Sequence, residues 1–243
     1  MIWDLFLSSF LLSLVLVGVH AYFGREIIRR GIIFADIAVA QFSALGLALS
    51  LTLFHGKYSY LLSLSFAFMT SLLIALSQRL RDYSEAFIGL LYALGFSALF
   101  LLLSHSPHGV EEIRRLTAGD ILLVPLQEAL KTALLYSLIG TLLYLRERFL
   151  RGFLSEFSLF SLLSLTLASS VSLVGVLVVF SLLVAPALVS LLLGRGLIFS
   201  WVWGTFLSLL ALSVSFNLDL PAGYSLVFFQ ALAGFLVFLF KIR

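Results

Sequence analysis

Long apolar runs broken by short polar stretches dominate this chain from end to end. A membrane-crossing helix needs roughly 20 mostly apolar residues, because the hydrocarbon is about 30 Å thick and the rise is about 1.5 Å per residue. The runs at 5–23, 32–54, 58–78, 86–103, 121–145, 157–173, 175–193, 197–216 and 222–240 meet that description and predict nine spanning helices. Residues 157–193 form one run too long for a single crossing, and the serine-rich stretch 169–175 ending in Gly175 is the expected reversal. No loop is large enough for a soluble domain, so residues 1–243 read as a single all-α, polytopic helical bundle.

The placement of cations orients the bundle. With the amino terminus outside, the inner segments carry Arg25, Arg29, Arg30, Arg79, Arg81, Arg146, Arg148, Arg151, Arg195, Lys241 and Arg243. The outer segments carry Lys57, Arg114 and Arg115, while Lys131 falls within the fifth run. Positive residues gather on the cytoplasmic side, so the pattern predicts an outside amino terminus, an inside carboxyl terminus and an odd number of spans. The first run ends near Val19-His20-Ala21, which resembles a leader-cleavage site. Asp4 and the absence of early Lys or Arg argue instead for a retained helix.

Composition agrees with the pattern. The chain is 62% hydrophobic and 11% charged, against about 45–50% and about 25% in ordinary domains. That excludes a soluble globular protein, a disordered chain and a basic-patch binder of nucleic acid, and it makes membrane lipid the first partner. Cysteine is absent, so no disulfide or thiolate metal site exists. The lone Gly56-Lys57 pair is followed by Tyr58 and lacks the upstream glycine of a phosphate loop. ATP hydrolysis is therefore not expected on this chain, which reads as a non-enzyme with no resident cofactor.

An ionisable side chain inside a bilayer is costly enough to demand a reason. Asp36 begins the second run, with Ala40 one turn on and Gln41 beside it. It is either paired with Arg29 or Arg30 or placed to contact a cation. His20 stands at a similar height near the end of the first run, and could form a metal pair or an ordinary interhelical hydrogen bond with it. After the fourth run, His105, His108, Glu111 and Glu112 crowd one loop, with His108 and Glu112 at i, i+4 spacing. That loop is a metal-capture candidate or a solvated segment balanced by Arg114 and Arg115. Glu128 and Lys131 are three apart and expected to pair. Glu85 reads as a carboxylate at a helix start, favoured by the helix dipole. Gln230 reads as an interhelical hydrogen bond, and Ala44, Gly46 and Ala48 as a close-packing face.

Five segments in order resemble one family. They are Arg29-Arg30-Gly31 through Asp36 to Gly46; Ser84-Glu85 to Gly89; Gly119-Asp120-Ile121; Val174-Gly175 through Pro186-Ala187; and Asp219-Leu220-Pro221-Ala222-Gly223. Together they are similar to the permease subunits of zinc/manganese/iron-type ABC importers, along nearly the whole chain. The resemblance implies a homodimeric plasma-membrane permease that receives a divalent metal ion from an extracytoplasmic binding protein and is driven by a separate ATP-binding subunit. It also implies that Asp36 lies on the metal path. The family has a His four residues later, where this chain has Ala40, so Gln41, His20, His105, His108 and Glu112 become candidates for the missing ligands. The family's coupling loop is longer than the segment here, in which Arg146, Glu147, Arg148 and Arg151 are the ATPase-contact candidates. An ion- or proton-coupled secondary transporter or channel using Asp36 and His20 is the alternative.

Overall fold

The computed structural model describes residues 2–104 and 106–242. Among the described residues ten α-helices follow one another: α1 (Ile2–Arg30), α2 (Ala35–Phe54), α3 (Ser59–Ser77), α4 (Arg81–Leu103), α5 (Gly109–Thr117), α6 (Leu126–Phe149), α7 (Gly152–Val174), α8 (Val176–Leu192), α9 (Leu197–Leu218) and α10 (Ala222–Ile242). Single 3-10 turns occur at Gln78–Leu80 and Ile121–Leu123, and no strand occurs among the described residues. Each of the nine predicted runs overlies one helix. Eight of these helices are long and apolar enough to cross a membrane; α8, with 17 residues, is shorter. The chain is a multi-pass membrane protein.

Hydropathy alone does not reveal α5, because Glu111, Glu112, Arg114 and Arg115 occupy four of its nine positions. Helix α4 begins at Arg81 rather than at residue 86. Glu85 is thus the fifth residue of the helix, and Asp82 is the acidic residue of its first turn. The expected reversal in 169–175 contracts to one residue. Ser169, Ser170 and Ser172 stay helical by returning their hydroxyls to the carbonyls of Thr166, Thr166 and Ser169 at 2.8–2.9 Å. Only Gly175 breaks the helix, at φ 83° and ψ 166°, a conformation open essentially to glycine.

Backbone contacts divide the chain into two compact units. The first comprises Met1–Gly31, Ala118–Ser137 and Leu177–Arg243. In it α9 packs against α1 and α10, and α8 has no exposed residue, as befits a helix apolar on all sides. At Gly24, α1 lies so close to α8 that a Cβ would collide with the Leu183 carbonyl. Gly204 of α9 meets the ring of Pro186, where a Cβ would stand 2.7 Å from Cγ. Gln230 of α10 donates to the Gly204 carbonyl at 2.8 Å and to Ser208 Oγ at 3.2 Å, the interhelical bond expected of it. The Arg25 guanidinium donates to Ser190 Oγ and to the Arg195 carbonyl (2.9 Å), closing the turn that leads from α8 to α9.

The second unit comprises Ile32–Thr117 and Leu138–Val176. Here α2 is the core helix, packed by α3, α4 and α7. The small-residue face behaves as expected: a Cβ on Gly46 would stand 2.5 Å from the Leu62 carbonyl oxygen, so α2 and α3 touch backbone to backbone. Hydroxyl pairs hold these helices together, Ser43 with Ser63 and Ser71 with Ser164, each at 2.7 Å.

Candidate ion-path residues

Gly31, at φ 70°, ends the turn after α1, and α2 starts after Phe34, whose side chain provides no cap. Asp36 therefore sits in the first turn of α2, where unpaired backbone N–H groups and the helix dipole favour negative charge. Its side chain is 1% exposed. Among the described residues neither carboxylate oxygen completes a hydrogen bond, although the backbone N–H groups of Asp36 itself and of Ile37 lie close by. Arg30, one of the two residues considered as its counter-ion, donates to Glu26 within α1 at 3.3 Å. An unpaired buried carboxylate costs several kcal/mol even after relaxation, so this site calls for a proton or a cation.

Gln41 is also buried, and its Oε1 has no partner among the described residues. Five residues advance a helix by about 500°, which turns Gln41 about 140° away from Asp36. Its Cβ lies against Gly95 of α4, 3.3 Å from where a Cβ there would stand. The structure therefore does not bring Asp36 and Gln41 to one side of α2. Ala40 and Ser43, one and two turns on, share the Asp36 side, and Ser43 is already bonded to Ser63.

His20 belongs to the first unit. It is fully buried, its Nδ1 donates to the Leu16 carbonyl at 2.7 Å, and its ring lies 5.9 Å from that of Tyr136. In the loop cluster, His105 lies outside the described residues. His108 immediately precedes α5 and accepts the Glu112 N–H on its carbonyl at 3.0 Å. Glu112 turns to Arg115 at 2.9 Å, while His108 shares a shallow depression with Pro107, Val110, Glu111 and Arg114. A guanidinium on that wall disfavours a cation. No group of three or more His, Asp or Glu side chains suited to a metal occurs among the described residues.

The link between α6 and α7 is only Leu150 and Arg151, so no separate helix forms over residues 148–155. Arg146 is buried and donates Nε to the Ser155 carbonyl at 2.8 Å, tying the end of α6 to the start of α7. Glu147, Arg148 and Arg151 face outward, with the Arg148 guanidinium 5.7 Å over the Phe149 ring. Glu128 and Lys131 pair at 2.6 Å as their spacing required. Sequence reasoning passed over Ser200, Trp203 and Thr205 of α9, whose buried polar atoms lack partners among the described residues. Their only signal was polarity within an otherwise apolar run.

Residues 2–154 and 150–241 match the ABC 3 transport family. The chain belongs to that family. Its fold recurs in PsaBC from Streptococcus pneumoniae in complex with Fab, with a TM-score of 0.75, 21% identity, and coverage of 96% of this chain and 91% of that one. It recurs also in an inward-facing structure described as a metal-chelate type ABC transporter, with a TM-score of 0.70, 20% identity, and coverage of 96% and 84%. No curated protein matches the sequence significantly. The resemblance to ABC importer permeases drawn from the five segments is thus borne out at the level of the family.

Proposed function

We propose that this chain is the membrane-spanning permease of an importer for a divalent transition-metal ion. ATP hydrolysis falls to a separate subunit, and an extracytoplasmic binding protein delivers the ion. Two copies form the pore, with amino termini outside and carboxyl termini inside. Family membership supports the transport role, and one structural neighbour is described as a metal-chelate type transporter. The observation that carries the reading is Asp36: a buried carboxylate without a partner in the core helix of the second unit. Such a group is tolerated where a passing cation supplies the missing charge.

The ligand chemistry narrows the cargo. Asp36 offers oxygen, Ala40 offers nothing, and Gln41 offers an amide oxygen on another side of the helix. Carboxylate and carbonyl oxygens suit harder ions, which favours Mn²⁺ over Zn²⁺. The metal is substrate, and no resident cofactor is required. The test is uptake into proteoliposomes holding this chain with its ATP-binding subunit, offered Mn²⁺, Fe²⁺ and Zn²⁺ with and without ATP. ATP-dependent Mn²⁺ uptake, lost in Asp36→Asn, supports the reading. Uptake that persists without ATP points to the secondary transporter instead.

A further inference from the structure

The seam between α2 and α3, both in the second unit, fixes what stands across from Asp36. Ser43 of α2 is bonded to Ser63 of α3 at 2.7 Å, and about a turn further on Gly46 meets the Leu62 backbone. Beyond them Ser50 Oγ receives the Tyr58 N–H at 3.1 Å, so the two helices run antiparallel in close contact. Seven residues turn a helix by about 700°, which returns to within about 20° of the starting side, and carry it about 10.5 Å along its axis. Seven residues before Ser43 comes Asp36, and seven after Ser63 comes Thr70. In antiparallel helices both steps lead in the same direction, so the register sets Thr70 opposite Asp36. Ser71, about 100° further round α3, is bonded instead to Ser164 of α7. Thr70 is fully buried, and Asp36 almost so.

The Thr70 hydroxyl has one proton to give, and an ionised carboxylate across the seam is the acceptor that would gain most from it. That proton goes instead to the Phe66 carbonyl of the same helix, at 2.9 Å. What Thr70 Oγ1 has left is lone pairs. Neither Asp36 oxygen completes a hydrogen bond among the described residues. The seam thus sets acceptor against acceptor in a buried place, an arrangement that a cation answers on both sides at once. We infer that Thr70 Oγ1 is a second oxygen ligand for the cation that Asp36 receives. On the permease reading above, on which this assignment rests, Thr70 supplies a ligand from a second helix. A hydroxyl and a carboxylate make an all-oxygen pair, a donor set that suits Mn²⁺ better than Zn²⁺.

The test is the kinetics of ATP-dependent Mn²⁺ uptake in the proteoliposomes described above, with Cd²⁺ as a soft competitor. Thr70→Val keeps the shape and removes the oxygen, so its KM for Mn²⁺ should rise roughly tenfold, the loss of one ligand contact. Its unfolding temperature should stay near that of wild type, because the lost hydroxyl bond lies within α3. Thr70→Ser keeps the oxygen and should transport as wild type does. Thr70→Cys places sulfur in a chain that has no other cysteine, and thiolates select soft metals. Cd²⁺ should therefore inhibit Mn²⁺ uptake by this variant at a roughly tenfold lower concentration than in wild type. A purely structural Thr70, or one that only holds a water beside Asp36, gives no such change in metal preference. Should either variant fail to fold, the other decides. A folded Thr70→Val with the wild-type KM, or a Thr70→Cys with wild-type sensitivity to Cd²⁺, overturns the assignment. If wild type still takes up Mn²⁺ and Asp36→Asn does not, the permease reading survives that result. Absence of ATP-dependent uptake by wild type overturns both.

Discussion

The two units differ in how they treat the ionisable and amide side chains at their cores. In the first, Arg25 is bonded to Ser190 and to the Arg195 carbonyl, His20 to the Leu16 carbonyl, and the Gln230 amide N–H to Gly204 and Ser208. Each of these residues ties a helix to a neighbour or to its own backbone. In the second, Asp36 carries two buried oxygens with no partner among the described residues, and the Oε1 of Gln41 is likewise unmet there. The same core helix still uses Ser43 for ordinary packing, through its bond to Ser63. Neutral polar atoms go unanswered in both units, at Ser200, Trp203, Thr205 and Gln230 Oε1 in the first and at Gln41 Oε1 in the second, so what distinguishes Asp36 is a carboxylate buried with both oxygens unmet. The first unit spends the Arg25 guanidinium on the turn between α8 and α9, and the second leaves the Asp36 carboxylate unmet.

Substitutions can break or sharpen that contrast. The largest expected effect is at Gly24, where any side chain meets the Leu183 carbonyl. Gly24→Val should leave little folded protein, as judged by fluorescence-detected size-exclusion chromatography, because the backbone contact between α1 and α8 gives no room to adjust. Next comes Arg25→Met, which keeps the aliphatic bulk but leaves Ser190 and the α8–α9 turn without the guanidinium. The loss of hydrogen bonds to a charged group should destabilise by about 1.5–3 kcal/mol, visible as a lower unfolding temperature. Ser43→Ala in the second unit removes only a hydroxyl pair, and hydrogen bonds between membrane helices average about 0.6 kcal/mol. A small fall in thermal stability with intact uptake is expected. Smallest of all is Lys131→Gln, which breaks an exposed pair with Glu128. Such pairs contribute about 0–1 kcal/mol, so an unchanged unfolding temperature is the expected reading.

What was legible in the sequence was local or periodic. All nine apolar runs became helices, because burial in lipid needs only length and apolarity. The Glu128–Lys131 pair followed from i, i+3 spacing, and Gln230 from the need of a buried amide for a partner. The separation of Asp36 and Gln41 was already contained in the advance of 100° per residue. Helix α5 was hidden because its charges mask its periodicity from a hydropathy reading. The start of α4 was misplaced because Arg81 and Asp82 are as compatible with a helix end as with a loop. Least legible was Arg25, whose partners Ser190 and Arg195 lie 165 and 170 residues away. Nothing near Arg25 in sequence announces them, so only the packing of α1 on α8 reveals that this cation is structural.

The most direct test of the account compares Asp36→Asn with wild type in two measurements on one preparation: ATP-dependent Mn²⁺ uptake and thermal unfolding. Removing an unpaired buried charge while preserving shape relieves desolvation, so the variant should unfold at the same or a higher temperature. Its uptake should fall at least about tenfold, the effect of losing a single interaction of about 1.4 kcal/mol with the ion in transit. A variant that transports as wild type does, or one that loses uptake only because it unfolds earlier, would contradict the claim that Asp36 is held unpaired for the cation.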